Sequence, residues 1–276
     1  MSAIESKTEE RKMRLNESEK DYDLLRVLSE YPTLNTSLLG EILGRNLISL
    51  RARLRRLKAE HWVASGVQPW GDRKPAGFPD DRVWRLGLAG IRKAKELDYL
   101  PPEIRYRPEW SPKNSEHDLG IARFHYALSK LGILSFWKQW PAEVFDNFQN
   151  SGKTFYVKPD GFFGIQDKSE PTATRYFLEW ERSNPRDKGD VSSLVRKIAG
   201  YSAYLDKGYW ERWGQGKTRI LFVMRSERRC EGFLQLVREI SPKKKFFLAA
   251  TIDDLLSRPG EEIVFDGSAS KISLQD

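Results

Sequence analysis

Three segments between Thr154 and Leu205 decide how the second half of the chain folds. They read TFYVKPDGFFGI from Thr154, TRYFLEWERS from Thr174 and DVSSLVRKIAGYSAYL from Asp190. The first two are rich in aromatic and β-branched residues and are bounded by glycine, proline and charged residues, which predicts two strands. The third has apolar residues three and four positions apart, which predicts a helix. The expected order is therefore strand, strand, helix.

Carboxylates interrupt these apolar strands. Asp160 stands at the end of the first predicted strand, and Glu179 and Glu181 lie within the second. Because side chains alternate between the two faces of a strand, the glutamates share one face and Trp180 points to the other. Burying a carboxylate costs several kcal/mol unless a partner compensates its charge, and a divalent cation is one such partner. Since carboxylate oxygens suit Mg²⁺, the pattern favours a magnesium site.

The same segments resemble the PD-(D/E)xK nuclease superfamily. Lys158-Pro159-Asp160 supplies the "PD", and Glu179-Trp180-Glu181 stands where the (D/E)xK strand is expected. The chain departs from the motif because Glu181 occupies the lysine position. In some members of the superfamily that lysine has moved to the following helix, and the resemblance implies that Lys197 takes its place. Tyr201 follows four residues later, so it lies beside Lys197 on the predicted helix.

The composition predicts a soluble protein with an anionic partner. The chain has 276 residues and a net charge of +8, for which nucleic acid is the simplest partner. No stretch approaches the roughly 18 apolar residues of a membrane span, and the first 20 residues are too polar for a signal peptide. We therefore expect a cytoplasmic protein without membrane insertion. The single cysteine excludes an internal disulfide, and the chain has no nucleotide-binding glycine loop with its lysine.

The first half of the chain predicts three helices followed by a β-hairpin. The helices begin near Asp21, at TSLLGEILG and at LISLRARLRRLKAEH, and the hairpin strands are WVASGVQPW and RVWRL. This order is that of a winged helix-turn-helix, whose third helix enters the major groove of duplex DNA. A solvated basic helix that binds no DNA is the alternative. The basic residues expected to contact phosphates and base edges are Arg45, Arg51, Arg53, Arg55, Arg56 and Lys58.

Composition also divides the chain into four segments. Residues 1–19 are dense in charge and lack periodicity, which predicts a disordered lead-in. Residues 20–100 form the winged-helix domain. Residues 101–113 contain four prolines and form the linker, since proline resists both helix and central strand. Residues 114–276 form the second domain.

The second domain is expected to open with a helix, SEHDLGIARFHYALSKLG. Ser115 is its predicted N-cap, with Asp118 three residues later in the spacing of a capping box. Nucleases of the superfamily often place an acidic residue on the helix that precedes the sheet. Glu116, His117 and Asp118 are therefore second-tier site candidates.

From about Asp21 onward, the whole pattern resembles the replication-relaxation family and is similar to the MOBC-type relaxases of mobilisable plasmids. A winged helix leads through a Pro-rich linker into EHDLGIAR, KPDGFF, FLEWERS and VRKIAGYSAYL, in that order. The resemblance implies an α+β or α/β fold, in which a winged helix precedes a restriction-endonuclease-like domain with a central mixed sheet. It further implies nicking of duplex DNA at a plasmid transfer origin, in the bacterial cytoplasm and within a relaxosome. Other relaxosome proteins and a conjugative coupling protein are the further partners.

Phosphodiester cleavage by such a site needs charge stabilised on the scissile phosphate and an activated water, both of which a carboxylate-held Mg²⁺ or Mn²⁺ supplies. Asp160 and Glu179 are the expected metal ligands. Glu181 is a third ligand or a base that orients the attacking water. Lys197 is expected to stabilise the developing phosphorane charge. Tyr201 is expected to position Lys197 or the phosphate rather than to act as a covalent nucleophile.

Two other functions remain open at this point. In the first, the second domain is catalytically inactive, and the chain is a DNA-binding accessory protein of plasmid replication or of the relaxosome. Alternatively, the chain is a transcription regulator whose second domain senses a small molecule. A nuclease requires Asp160 and Glu179 for metal-dependent cleavage, an accessory protein binds DNA without them, and a sensor changes its DNA affinity when a small molecule binds.

Overall fold

The computed structural model describes residues 18–66, 82–104, 112–139, 144–166, 172–181, 188–259, 261, 264–266 and 271–274. Internal contacts divide the chain into two units, residues 1–122 and 123–276. The division falls within a long helix, whereas the sequence predicts a boundary in the Pro-rich segment 101–113. The middle of that segment, residues 105–111, lies outside the described residues.

The first unit contains helices and a small antiparallel sheet. Strand β3 is central, and it pairs with β1 on one side and β2 on the other. The order of three helices followed by a hairpin confirms the predicted winged-helix arrangement. The elements are α1 (Glu19–Glu30), β1 (Leu34–Asn35), α2 (Thr36–Leu43), α3 (Leu47–Ala59), β2 (Val63–Gly66), β3 (Val83–Leu86) and α4 (Leu88–Glu96).

Leucines hold these helices together. Leu24, Leu25 and Leu28 of α1 are buried, and so are Leu50, Leu54 and Leu57 of α3. The turn between α2 and α3 depends on Gly44, which ends α2 with a φ of 60°. A residue with a side chain is strained in this left-handed conformation. The Asn46 side chain then caps α3 by accepting the backbone N–H of Ile48 at 2.8 Å.

A buried ion pair joins α1 to α3. Asp21 is fully buried, and its carboxylate pairs with the Arg53 guanidinium and accepts the backbone N–H of Ser18 at 3.0 Å. Arg45 is also engaged within this unit, because its Nη2 lies 2.8 Å from Asp23 Oδ2. Two of the six predicted DNA-binding residues, Arg45 and Arg53, therefore have intramolecular partners. Their acids lie more than 20 positions away in the sequence.

The second unit contains a seven-stranded mixed sheet in the order β12-β11-β10-β9-β8-β7-β4. Strands β8, β9 and β10 are parallel, and the remaining pairs are antiparallel. Helix α5 (Pro112–Leu131) crosses the division between the two units. The strands are β4 (Leu134–Lys138), β5 (Asp146–Asn150), β6 (Lys153–Val157), β7 (Gly161–Ile165), β8 (Thr174–Trp180), β9 (Thr218–Met224), β10 (Phe247–Thr251), β11 (Val264–Phe265) and β12 (Lys271–Ile272). The helices are α6 (Lys188–Asp206), α7 (Gly208–Trp213), α8 (Glu227–Ile240) and α9 (Ile252–Ser257), with a short 3₁₀ helix at Lys244–Phe246.

Strand β9 lies in the middle of the seven-stranded sheet, and every residue of it except Arg219 is buried. Residues of α6, β8, β9 and α8 form one buried core. Tyr201 of α6 packs against Phe177 of β8 and Phe222 of β9, with ring centroids 5.8 and 6.4 Å apart. This packing fixes α6 over the carboxyl end of β8. No helix within the described ranges is both long and apolar enough to cross a membrane.

The structure corrects the first predicted strand. The segment TFYVKPDGFFGI forms two strands rather than one, since β6 ends at Val157 and β7 begins at Gly161. Strand β6 pairs with β5 in a separate two-stranded sheet that was not predicted. Pro159 lies at the break and has no backbone N–H to continue a ladder. Asp160 therefore immediately precedes a strand of the main sheet, instead of ending one.

Two predicted helix starts also need correction. Helix α5 begins at Pro112, inside the predicted linker, so Ser115 is a buried residue of the first turns and not the N-cap. Proline is common in the first turn of a helix, because the backbone N–H that it lacks would have no partner within the helix there. In the first unit, Ser18 and Glu19 already form the cap and first residue of α1. The remainder of the predicted lead-in, residues 1–17, lies outside the described residues.

The Asp21–Arg53 pair predicts a strong effect on stability. Asp21→Ala leaves the Arg53 guanidinium without its buried partner, which should lower the free energy of unfolding by about 3–5 kcal/mol. Asp23→Ala is the matched control, because Asp23 is 42% exposed and its pair with Arg45 should contribute at most about 1 kcal/mol. Urea unfolding followed by circular dichroism measures both. Equal effects of the two substitutions would contradict a structural role for the buried pair.

Candidate functional site

Five side chains meet where β7 begins and β8 ends. Asp160 immediately precedes β7, Glu179 is the penultimate residue of β8, and Glu181 directly follows β8. Lys197 and Tyr201 come from the middle of α6. We call these five residues the charged cluster. All five were predicted from the sequence as catalytic candidates.

Lys197 connects the two glutamates. Its Nζ donates to Glu179 Oε2 at 2.6 Å and also to Glu181 Oε1. The Tyr201 hydroxyl donates to the second oxygen of Glu179, Oε1, at 2.5 Å. The side chain of Glu179 is only 3% exposed, but that of Lys197 is 34% exposed. The lysine is therefore more accessible to an incoming substrate than either glutamate.

These contacts agree with two sequence predictions. Glu179 and Glu181 lie on one face of the strand, as the alternation of side chains predicts, because one ammonium group contacts both. Lys197 and Tyr201 are neighbours on the helix, as their spacing predicts, because both contact Glu179. The expected partner of Tyr201 differs, however. Its hydroxyl orients Glu179, whereas Lys197 or the phosphate was expected.

Asp160 is fixed by the backbone of the neighbouring strand. Its Oδ2 accepts the N–H of Trp180 at 2.8 Å, and its own N–H donates to the carbonyl of Leu178 at 2.8 Å. Trp180 is buried against Phe124, with ring centroids 6.3 Å apart. The Asp160 carboxylate therefore sits beside Glu179 in a position set by main-chain hydrogen bonds.

The electrostatics of the cluster follow from burial and charge. Burial raises the pKa of Glu179 to about 7, although the Lys197 ammonium opposes this shift, and the nearby charge of Asp160 raises it further. Burial on its own lowers the pKa of Lys197, but Glu179 and Glu181 outweigh it and the net pKa is raised. The two glutamates raise the pKa of Lys197 by more than burial lowers it. For Glu179, burial and the charge of Asp160 outweigh the effect of Lys197. Lys197 consequently stays charged at neutral pH.

Tyr201 is poorly suited to act as a nucleophile. Burial raises the pKa of its hydroxyl well above the ordinary value, and the negative charge of Glu179 adds to the effect. The phenolate is therefore disfavoured at neutral pH, and the side chain itself is only 2% exposed. Its hydrogen bond instead fixes the orientation of the Glu179 carboxylate.

The charge of the cluster bears on metal binding. Three carboxylates and one ammonium group carry a net formal charge of −2 when ionised. Within the described part of the chain, no three or more histidine, cysteine or acidic side chains are placed to hold a metal ion. Lys197 contacts both Glu179 and Glu181, and the Asp160 carboxylate lies near enough to Glu179 for its charge to raise the pKa of Glu179. Two carboxylates suit Mg²⁺, which usually retains waters and binds substrate phosphates. The residues present fit a two-carboxylate site, and the three-carboxylate ligand set stays a prediction.

The second-tier candidates lie on α5. His117 Nδ1 lies 3.0 Å from Asp118 Oδ1, so this neighbouring pair has a local interaction of its own. Glu116, His117 and Asp118 belong to the first unit, whereas the charged cluster belongs to the second. Their role in the site stays a prediction.

The predicted DNA-binding residues on α3 separate into two groups. Arg45 and Arg53 make the intramolecular pairs described above. The other four side chains are exposed, which leaves them accessible to a phosphate backbone; they are Arg51, Arg55, Arg56 and Lys58.

A cavity of about 590 Å³ adjoins Glu181 and lies between α6 and α8. Its walls include the apolar side chains of Leu194, Met224 and Phe233, and Arg228 and Arg229 also line it. These two arginines were not predicted from the sequence as site residues. They lie more than 40 positions from Glu181 in the sequence, and no local spacing relates them to it.

Comparison with known proteins places the chain in a family. The sequence profile of the replication-relaxation family matches residues 25–220, which is more than half of the chain. The chain belongs to the replication-relaxation family. This confirms the resemblance to the replication-relaxation family, and the similarity to MOBC-type relaxases stays a prediction. A search of curated proteins gives no match.

Solved structures similar to this family member are distant. A mutant of MarR from E. coli has 17% identity and a TM-score of 0.26, and the match covers 42% of this chain and 79% of that one. The same mutant complexed with operator DNA has 15% identity and a TM-score of 0.26, covering 42% and 76%. The restriction endonuclease FokI has 12% identity and a TM-score of 0.30, covering 87% of this chain and 44% of that one. Scores this low support no inference about function.

The raised pKa of Glu179 predicts a pH-dependent stability. Between its ordinary pKa of 4.5 and its folded pKa of about 7, the folded protein holds a proton that the unfolded chain has released. The contribution of Glu179 to stability is therefore greatest at low pH and is lost as the pH rises through about 7. Relative to Glu179→Gln, the unfolding free energy of the wild type should fall between about pH 5 and pH 8.

Unfolding titrations at several pH values measure this difference. Glu239→Gln, a substitution at an exposed glutamate of α8, is the control and should leave the pH profile of the wild type unchanged. If the unfolding free energy of the wild type instead rises with pH relative to that of Glu179→Gln, Glu179 is stabilised in its charged form.

Proposed function

We propose that this protein is a metal-dependent DNA nickase of the relaxase type, which cleaves one strand at a plasmid transfer origin. The observation that carries the proposal is the placement of Lys197 between Glu179 and Glu181, with Asp160 near Glu179. Acids and a lysine arranged in this way, in a chain that also has a winged-helix unit, match the requirements of phosphodiester cleavage on DNA.

The proposed divalent cation binds Asp160 and Glu179. A Mg²⁺ or Mn²⁺ ion bound there would neutralise charge on the scissile phosphate and lower the pKa of a coordinated water. Glu179 can present a fixed oxygen because Tyr201 holds its carboxylate by a hydrogen bond. Asp160 is fixed in the same way by the backbone of Trp180. Both ligands are thus oriented before any substrate arrives.

The remaining polar groups act on the phosphate and the water. The Lys197 ammonium is charged and partly exposed, so it can stabilise the additional negative charge of the phosphorane. Glu181 lies beside Lys197 and is the candidate to accept the proton of the attacking water. As the water oxygen bonds to phosphorus, the bond from phosphorus to the leaving sugar oxygen breaks. Cleavage is then hydrolytic, and Tyr201 forms no bond to DNA.

The winged-helix unit would bring the site to its DNA. The four exposed basic side chains of α3 provide the charge that a phosphate backbone attracts. Other relaxosome proteins and a conjugative coupling protein are the further partners that transfer would require. The bacterial cytoplasm, where plasmid DNA resides, is the proposed location.

One observation favours the alternative of a catalytically inactive accessory protein. Lys197 is already hydrogen-bonded to both glutamates, and Glu181 replaces the motif lysine. An arrangement of this kind can stabilise a fold without performing chemistry. Nicking measurements separate the two functions.

Substitutions in the charged cluster should abolish nicking without preventing DNA binding. Asp160→Asn removes a proposed ligand charge, and Lys197→Met removes the charge proposed to stabilise the phosphorane. Each should slow nicking of supercoiled plasmid carrying the transfer origin by roughly 100-fold or more. The measurement is the appearance of relaxed circles in the presence of Mg²⁺ or Mn²⁺ and of the partner proteins.

Lys207→Met is the matched control, because Lys207 is an exposed lysine that follows α6. It should nick at the wild-type rate. Nicking that survives both cluster substitutions would place the active site elsewhere. Tight DNA binding without nicking by any form, with partners supplied, would establish the accessory function instead.

The exposed arginines of α3 should determine how DNA affinity depends on salt. Arg55→Ala removes one phosphate contact, so the slope of log affinity against log salt concentration should decrease by about 0.9. Arg92→Ala, at an exposed arginine of α4, is the matched control and should leave the slope unchanged. Fluorescence anisotropy with labelled duplex DNA measures both. A slope that Arg55→Ala does not change would exclude α3 as the source of the phosphate contacts.

A further inference from the structure

Ile48 is an unusually exposed apolar residue. Its exposed fraction is 77%, the highest recorded for a large apolar side chain in the described part of the chain. It lies in the first turn of α3, where Asn46 caps the helix through the Ile48 N–H and Ser49 Oγ donates to the Asn46 carbonyl at 2.9 Å. A rigid helix start therefore presents this side chain to solvent.

The position of Ile48 around α3 explains its exposure. An α-helix turns by about 100° per residue, so the core residues Leu50, Leu54 and Leu57 define one face. The residues on the opposite face follow at spacings of four, three and four. We call them the outer stripe; they are Ile48, Ala52, Arg55 and Ala59, and all four are exposed.

A single exposed apolar residue is normal on a protein surface and requires no explanation. The outer stripe differs from such an isolated residue in its location on the helix and in the charged residues next to it. In a helix-turn-helix, the N-terminal residues of this helix contact base edges in the major groove. The exposed Arg51 and Arg56 flank the stripe on either side and suit the phosphates that border the groove. The stripe thus combines an apolar centre with a cationic rim.

We propose that Ile48, assisted by Ala52, makes an apolar contact with the C5-methyl group of a thymine in the duplex that α3 recognises. This inference rests on the proposed DNA binding by the winged-helix unit. The thymine methyl is the apolar feature of the major groove, and it distinguishes thymine from the other three bases. Ile48 would therefore determine which sequence is bound, whereas the arginines would determine how tightly any sequence is bound.

Charge complementarity selects DNA over a second copy of the chain as the occupant of this surface. Four exposed cationic side chains lie within the outer stripe or next to it, namely Arg51, Arg55, Arg56 and Lys58. Two copies docked through the same face would place these like charges against each other, which is unfavourable. The phosphates of a duplex would instead neutralise them.

The test removes one methyl group from the DNA and one side chain from the protein. The preferred duplex is first selected from a randomised DNA library by the full wild-type chain in EDTA. Each thymine in it is then replaced by deoxyuridine, which lacks only the C5-methyl group. At one position this replacement should weaken wild-type binding about four-fold, the effect of one buried methylene-sized group. Ile48→Ala should bind the two duplexes equally, with the wild-type salt slope.

Ile240→Ala is the matched control, because Ile240 is a 41% exposed isoleucine on α8 and its loss should leave the discrimination intact. The proposal is overturned if wild-type protein ignores every replacement, or if Ile48→Ala still discriminates. It is also overturned if Ile48→Ala dissociates a wild-type dimer in sedimentation and leaves DNA discrimination unchanged. Salt-dependent DNA binding without thymine discrimination would refute the inference but not the proposed function, whereas selection of no duplex would refute both.

Discussion

The second unit depends on the ammonium group of Lys197, shared between Glu179 and Glu181. Two glutamates at the end of one strand repel each other, and Glu179 is almost completely buried. A buried acid is tolerated when charged or hydrogen-bonding partners surround it, and α6 supplies both through Lys197 and Tyr201. Tyr201 therefore has two roles. Its ring packs in the core against the sheet, and its hydroxyl holds the Glu179 carboxylate in place.

Much of this arrangement could be predicted because it depends on local periodicity. Alternation along β8 places Glu179 and Glu181 on one face, and a spacing of four places Lys197 and Tyr201 together. Prediction failed where a single residue overrides a pattern. Pro159 interrupts an otherwise continuous apolar run, so one predicted strand became two in different sheets.

Contacts between residues that are distant in sequence were not predictable from composition. Arg53 and Arg55 are equivalent as basic residues of α3, yet Arg53 pairs with the buried Asp21 and Arg55 is exposed. Only the packing of α1 against α3 distinguishes them. A count of basic residues thus overstates the surface available to DNA.

Asp160, Glu179, Glu181 and Lys197 carry a net formal charge of −2 when all four are ionised, which supports the proposal that Asp160 and Glu179 bind a divalent cation. The most direct test counts the Mn²⁺ ions bound per chain, by electron paramagnetic resonance, with an oligonucleotide duplex present. We expect one Mn²⁺ per chain in the wild type, lost in Asp160→Asn and retained in Lys207→Met. Equal Mn²⁺ binding by all three proteins, or binding by none, would contradict it.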